Sequence, residues 1–503
     1  MTTYSAAMST ALHRQLKSHL LRDDGQEDLC FGVWHPSRGK SRTSAIVSTV
    51  LVPTEGERLV HGNASFLPEF FERALGEAMR EKGGLAFFHS HPAPGWQGMS
   101  RDDIAAEESH APPVYGATGL PLLGLTLGTD SAWSARLWER TGTRTYKRRC
   151  CTHVRVAGYQ LEVTYDGRLM PPPGFREMLR RTVSAWGNAA QADLARLTIG
   201  IVGAGSVGAV IAEALARTGV AKIKLIDFDT IEIVNLDRLL HAGARDIGSS
   251  KISVLGRALR QSATSEHFVV DEIDYSVTEE DGFRAALDCD VLFSCVDRPW
   301  PRQVLNFIAY THLIPVVDGG IRVDVKPGAG TLRHADWRAH VACPGRRCLE
   351  CLGQFDPGLV SVEREGYLDN PEYINGLPAD HALRRNENVF AFSLGVASLE
   401  VLQMLMMVIA PSGMANPGSQ WYRFVPGTLD PQRIERCNDD CPYSTTFANL
   451  GDHASLTITG QHIGAAAARA LRAVAAPSRW KQVFSLAKRL MKRANQRGRR
   501  FLR

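Results

Sequence analysis

The chain is expected to be an α/β protein: an N-terminal α+β unit over residues 1–155, a doubly wound unit over residues 175–445, and a basic helical tail over residues 460–503. Three observations predict this. The apolar strand pattern Leu85-Ala86-Phe87-Phe88 runs into His89-Ser90-His91-Pro92. A second apolar run, Leu197–Val202, feeds Gly203-Ala204-Gly205-Ser206-Val207-Gly208 and then a helical stretch. After Gly460 the residues become rich in Ala and Arg. A strand, a glycine turn, a helix and a further strand make a βαβ unit of the Rossmann-like type.

At 503 residues the chain exceeds the ~100–200 residues of one ordinary domain, so two or three are expected. Its 44% hydrophobic and 22% charged residues fit a soluble globular protein. The apolar stretch Val401–Ala410 is too short to span a bilayer. The start, Met1-Thr2-Thr3-Tyr4-Ser5, lacks the pattern of a secretory signal. A cytoplasmic protein without membrane integration is therefore expected. Much of the net charge of +5 falls in Arg479–Arg503, which does not by itself indicate a nucleic-acid enzyme.

In chain order, strands are expected at Leu29–Trp34 and Ser44–Pro53, a helix at Leu67–Glu81, and the strand that delivers His89. Pro171-Pro172-Pro173-Gly174 marks a break, and residues 175–196 look like a helical lead-in to the second unit. There a helix through Leu215 is followed by the strand Ile223–Asp227, with further buried strands at Val291–Val296 and Ile314–Val317. Ala465–Ala475 and Trp480–Arg493 read as amphipathic basic helices, either a solvated tail or a docking arm for an acidic protein.

Two histidines one residue apart at a strand end point to the same side, because strand side chains alternate with period two. They can share one zinc. A carboxylate from the following helix would complete three protein ligands, leaving the fourth tetrahedral position for an activated water. A nearby acid would serve as base. With Glu27 ahead of the first strand and Ser100-Arg101-Asp102-Asp103 downstream, the segment resembles the JAMM/MPN+ metalloprotease family. The resemblance implies that His89, His91 and Asp103 bind zinc, that Glu27 is the general base, and that Ser100 helps hold the oxyanion. The family's usual interval lands on Asp102, which stays open as the alternative ligand.

In the second unit, Gly203, Gly205 and Gly208 open a helix whose backbone N–H groups can cradle phosphates, and Asp227 can bind ribose hydroxyls. That alone would suggest a nicotinamide dehydrogenase. The continuation Asp227-Phe228-Asp229 through Asn235-Leu236-Asp237-Arg238, then Lys251 and Ser294-Cys295-Val296-Asp297, resembles instead the ThiF/MoeB-type adenylyltransferases, which include activating enzymes for ubiquitin-like proteins. The resemblance implies that Arg238 and Lys251 clamp the phosphates of ATP, Asp297 holds Mg2+, Asp227 binds ribose and Asn235 supports the phosphates. It also implies an arginine from a preceding helix, Arg180 or Arg181, supplied across a homodimer. Asp229 and Glu232 are read as caps or loop residues.

Cys348-Leu349-Glu350-Cys351 and Cys437-Asn438-Asp439-Asp440-Cys441 suit a structural zinc site with four cysteine ligands. Cys30, Cys289 and Cys295 read as core. No cysteine lies between Cys351 and Cys437, where related activating enzymes carry a thioester residue, and Cys343 is the remaining candidate acceptor. The expected protein is bifunctional: a zinc isopeptidase or processing peptidase joined to an ATP-dependent adenylyltransferase that activates the C-terminus of a ubiquitin-like protein, acting beside a conjugating enzyme. The alternatives are sulfur-carrier processing and activation, and a scaffold that binds without turnover.

Overall fold

The computed structural model describes residues 2–61, 63–174, 176–326, 330–377, 387–432 and 436–475. The expected helix Trp480–Arg493 lies outside the described residues. In the N-terminal unit the chain runs β1 (Thr3–Ser9), α1 (Thr10–Leu20), β2 (Leu29–Arg38), β3 (Arg42–Leu51), β4 (Arg58–His61), β5 (Asn63–Phe66), α2 (Pro68–Arg80), β6 (Gly84–Ser90), α3 (Arg101–Thr118), β7 (Leu122–Leu127), β8 (Trp133–Arg140), β9 (Tyr146–Cys150), β10 (His153–Ala157) and β11 (Leu161–Tyr165). Nine of these strands form one mixed sheet in the order β11-β10-β1-β3-β2-β6-β7-β8-β9, and β4 and β5 make a separate hairpin. The sheet continues past the expected limit of 155, because β10 returns parallel to β1 and β11 closes antiparallel on β10.

The second unit runs α4 (Arg180–Arg196), β12 (Thr198–Val202), α5 (Ser206–Thr218), β13 (Lys222–Ile226), α6 (Lys251–Ser262), β14 (Val269–Ile273), α7 (Glu280–Ala286), β15 (Val291–Ser294), α8 (Pro299–Thr311), β16 (Val316–Lys326), β17 (Thr331–Ala342), α9 (Pro357–Arg364), α10 (Pro371–Gly376), α11 (Phe390–Ile409), β18 (Ser419–Arg423), β19 (Thr428–Gln432) and α12 (Ile463–Ala475). Its sheet has the order β14-β13-β12-β15-β16-β17-β18-β19. The first five strands are parallel, and β12 to β14 step one way before the chain crosses back to β15. The switch point between β12 and β15 is where doubly wound sheets bind ligands. Fully buried Ile199, Ile201, Leu225 and Phe293 pack this sheet against α5, whose Ile211 and Leu215 face it.

Helix α11 departs from the sequence reading. It is 20 residues long and apolar enough to cross a membrane by length and composition. Yet Ser393, Glu400 and Gln403 on it are buried in the protein. Burying three polar side chains against its own fold suits a core helix.

The two units meet across a buried ionic seam. Asp290, one residue before β15, accepts from Arg42 Nη1 at 2.6 Å and Arg155 Nη1 at 3.0 Å and lies 3.1 Å from His153 Nε2. Asp288 accepts the N–H groups of Ser41 and Arg42 at 3.0 and 2.9 Å. Asp452 bridges Arg38 at 3.3 Å and Arg284 at 2.7 Å. Burial works to raise Asp290, but Arg42, His153 and Arg155 outweigh it and hold its carboxyl well below the usual range. Asp290→Ala is expected to destabilise the chain by about 3–5 kcal/mol, because it strands two buried guanidinium groups. Burial also lowers His153 to about 4. The folded form thus refuses a proton that the unfolded chain accepts near pH 6.5, so this part of the stability is lost as pH falls toward 4. Thermal melting of both chains at neutral and mildly acidic pH checks the two effects.

Candidate functional site

The first cluster is built by three elements. Strand β6 ends in His89 and Ser90, held in register by β2, where Leu29 pairs with His89. Helix α3 starts with a capping box: Ser100 Oγ accepts from Asp103 N at 3.1 Å, and Ser100 N–H donates to Asp103 Oδ2 at 2.8 Å. This cap turns Asp103 toward the histidines. His89 Nε2 and His91 Nε2 are 3.1 Å apart, His91 Nε2 is 3.3 Å from Asp103 Oδ2, and His89 Nε2 is 3.9 Å from Asp103 Oδ1. Ligands about 2.0–2.1 Å from a tetrahedral zinc lie roughly 3.3–3.4 Å apart, so this donor set fits such an ion. Asp102 is exposed on the neighbouring position of the helix, and Asp103 is the carboxylate in the cluster.

Burial, with Arg136 beside it, drives His89 well below the usual imidazole range, so it stays neutral, the form that ligates metal. Burial and the nearby Asp103 raise Glu27, while His91 opposes them. Glu27 borders a cavity of about 160 Å³ together with Arg22, Ser90, His91 and Thr129. A relay that the sequence did not reveal backs the cluster. Glu107, one helical turn beyond Asp103, accepts from Arg136 Nε and Trp138 Nε1 at 3.0 and 2.8 Å. Arg136 Nη1 donates to Thr126 Oγ1 at 2.5 Å, which lies 3.2 Å from His89 Nε2. Its only sequence trace is the four-residue interval from Asp103 to Glu107.

The second cluster sits at the carboxyl ends of β12, β13 and β15. Gly203 has φ +96°, and a side chain there would meet the Cys295 carbonyl oxygen; one at Gly208 would meet that of Gly203. A side chain at Gly205 would meet nothing, so the turn is open on the face where a phosphate would approach the amides that start α5. Asp227 accepts from Ala204 N at 2.6 Å and Asp229 N at 2.7 Å, tying β13 to the glycine turn. Lys251, the first residue of α6, pairs with Asp229 at 2.7 Å. Burial works to lower the Lys251 ammonium, but Asp227, Asp229 and Asp297 together raise it. It is a mostly buried cation whose one ion pair among the described residues is with Asp229. Asp229 is therefore more than the cap or loop residue expected. Glu232 does act as a cap, its N–H donating to Asn235 Oδ1 at 3.0 Å.

Other expected members lie nearer the surface or bond to different partners. Arg238 bonds to Val234 O at 2.7 Å and to the adjacent Asp237 at 2.8 Å. Asp297 is exposed beside the start of α8. Arg180 and Arg181 are exposed at the start of α4, where Arg180 pairs with Glu177. Beyond β15, on β16, Asp318 is fully buried and accepts from Ser294 Oγ at 2.6 Å and Arg338 Nη2 at 2.5 Å, with Arg302 Nε at 3.2 Å. The sequence reading passed over this group; an Asp in a buried strand pattern was its one signal.

Cys348, Cys351, Cys437 and Cys441 present their sulfurs within 4.8 Å of one another. The Cys348–Cys441 separation of 3.6 Å matches the edge of a tetrahedron with Zn–S near 2.3 Å, about 3.8 Å. The backbone N–H groups of Cys348 and Cys351 donate to Cys437 Sγ and Cys348 Sγ. The wider second pair is accommodated by a turn in which Cys441 N donates to Asn438 O at 3.0 Å. Cys343 lies outside the four. It is buried, bonds to Gly158 O, and burial pushes its thiol up to about 11, so it is poorly placed to receive an acyl group. Cys30 and Cys289 are core as expected, whereas Cys295 is partly exposed beside the glycine turn.

The model of the ThiF family matches residues 179–415. Those residues form a ThiF family domain. The chain is 27% identical to tRNA threonylcarbamoyladenosine dehydratase 2 of Saccharomyces cerevisiae over 204 residues, 40% of this chain and 44% of that protein. It is 33% identical to ubiquitin-like modifier-activating enzyme 5 of Gallus gallus over 121 residues, 22% and 30% of the two. The Escherichia coli tRNA threonylcarbamoyladenosine dehydratase is 30% identical over 147 residues, 29% of this chain and 54% of that protein. The chain thus spans about half or less of these curated relatives. Among solved structures, Escherichia coli MccB with ATP is similar at 18% identity and a TM-score of 0.41, covering 53% of this chain and 75% of that one. The glycine turn, Asp227, Lys251 and Asp297 all fall within the ThiF domain.

Proposed function

We propose that the protein acts twice on the C-terminus of a ubiquitin-like protein, cutting at that terminus in the N-terminal unit and adenylating its carboxylate in the ThiF domain. The observation that carries the reading is the mostly buried Lys251, paired with Asp229 at 2.7 Å, while Asp229 and Ala204 of the open glycine turn both donate their N–H groups to Asp227 in a ThiF domain. A carboxylate attacking the α-phosphate of ATP expels pyrophosphate, and the charge gathered there needs a fixed cation; Lys251 is preplaced for it. Asp227 would hold the ribose, and Asp297 would hold the Mg2+ that neutralises the leaving pyrophosphate. Arg238 would join them by turning from Asp237.

For the N-terminal unit we read the three-ligand cluster as a JAMM/MPN+ type zinc site. Zinc held by His89, His91 and Asp103 would supply an acidified water and a polarised carbonyl. Glu27 would take the proton from the nucleophile and pass it to the leaving amine. Ser100, its oxygen occupied as a cap, keeps its hydroxyl proton for the oxyanion. The four-cysteine cluster would carry a second, structural zinc. With Cys343 buried, the reaction is expected to end at the acyl adenylate. Pyrophosphate exchange with ubiquitin-like proteins of the same genome tests the reading. Exchange that depends on one such protein supports it; absence of exchange with all of them favours a binding scaffold.

A further inference from the structure

We propose that helix α12 and the segment leading into it form the outer wall of the nucleotide pocket on its base side, with His462 and Arg472 as positioning residues. The inference rests on the adenylation reading and deepens it. Phosphates placed at the turn after β12 and a ribose at Asp227 after β13 send the base outward toward β14, whose exit loop starts at Asp274. The arm lies along those exits. Gly460 N–H donates to Thr278 O at 2.8 Å, and Trp300 Nε1 donates to Ile458 O at 3.0 Å. The His462 ring packs 4.7 Å from that of Phe228 and runs parallel to Trp300. Arg469 pairs with Glu279 and sits 4.3 Å over the Tyr275 ring, which Lys40 of the N-terminal unit approaches at 5.3 Å. Arg472 donates to Phe228 O at 2.7 Å and pairs with Asp274.

These contacts fall on the residues just after β13 and β14 and on the start of α8 beside Asp297. Among the described residues, the arm's hydrogen bonds and ion pairs reach none of Asp227, Arg238, Lys251 or Asp297. The arm borders the pocket and leaves the groups that would meet ribose and phosphates free of it. It also lies beyond residues 179–415, which match the ThiF family. Charge-assisted bonds from Arg472 to the backbone of Phe228 and to Asp274 tie two exits into one rim, which fixes the width of the slot between them.

The test measures binding of MgATP and of inorganic tripolyphosphate, by calorimetry, to the full chain, to the double variant His462→Ala/Arg472→Ala and to Arg472→Lys. Near-ultraviolet circular dichroism reports whether each chain is folded. The double variant is expected to bind ATP about tenfold more weakly, because the rim that sets the width of the base slot loses its Arg472 ties, and to bind tripolyphosphate like the wild type. Arg472→Lys should retain most of the ATP affinity. Unchanged ATP binding, tighter ATP binding as for a removed plug, or an equal loss for both ligands would each overturn the wall. A wild-type chain that binds no ATP would overturn the adenylation reading along with it.

Discussion

Lys251→Ala is expected to lower pyrophosphate exchange by about 10²- to 10³-fold, the usual cost of removing one preorganised charge-stabilising donor. The argument is electrostatic. Lys251 is the cation paired with Asp229, which itself donates its N–H to Asp227, so its loss leaves two neighbouring carboxylates uncompensated beside the glycine turn, where pyrophosphate would develop charge. The polyphosphate is then repelled as well as unassisted. Lys251→Met keeps the length of the side chain without its charge and should fall as far, which separates charge from packing. Exchange measured at saturating ATP, with thermal melting as a check on folding, decides it. Retention of half the activity in either variant would remove Lys251 from the site.

The second large effect is expected at the other cluster. His89→Ala/His91→Ala should lower bound zinc from about two equivalents to about one, because the ligands of the first ion are removed while the four cysteines are untouched. Cleavage of an isopeptide-linked or C-terminally extended ubiquitin-like substrate should fall to background, whereas pyrophosphate exchange should persist, since no residue of the second cluster is altered. Metal analysis by plasma emission and a gel-based cleavage assay give the two readings independently. Zinc that stays at its wild-type level would show that His89, His91 and Asp103 do not hold it. Asp102→Ala, by contrast, should change neither reading.

What the sequence showed was local. His89 and His91, the glycines of the turn and the two cysteine pairs each sit within a few residues of one another, so strand or turn geometry alone places them together. Strand and helix limits along the first βαβ unit follow for the same reason. Contacts set by chain reversal over long distances were not legible. Asp103 and Asp102 differ only in which side of α3 they occupy, and the capping box decides it. Arg469 and Arg472 looked like solvated charges of a basic helix until Asp274 and Glu279, nearly two hundred residues earlier, were seen beneath them. The apolar α11 was underestimated because Glu400 stands directly before the run that begins at Val401; buried together with Ser393 and Gln403, it belongs to a core helix.

The ionic seam bears on why the two units gain from being one chain. Arg42 and Arg155 belong to one unit and Asp290 to the other, and all three are almost completely withdrawn from water. A chain cut near residue 170 would open Arg42 and Arg155 on one piece and Asp290 on the other to water, and bringing the pieces together again would have to strip all three of that water at once. One continuous chain keeps the two faces together while that water is removed. It fixes the supply of the two clusters at one to one in every cell that makes the chain.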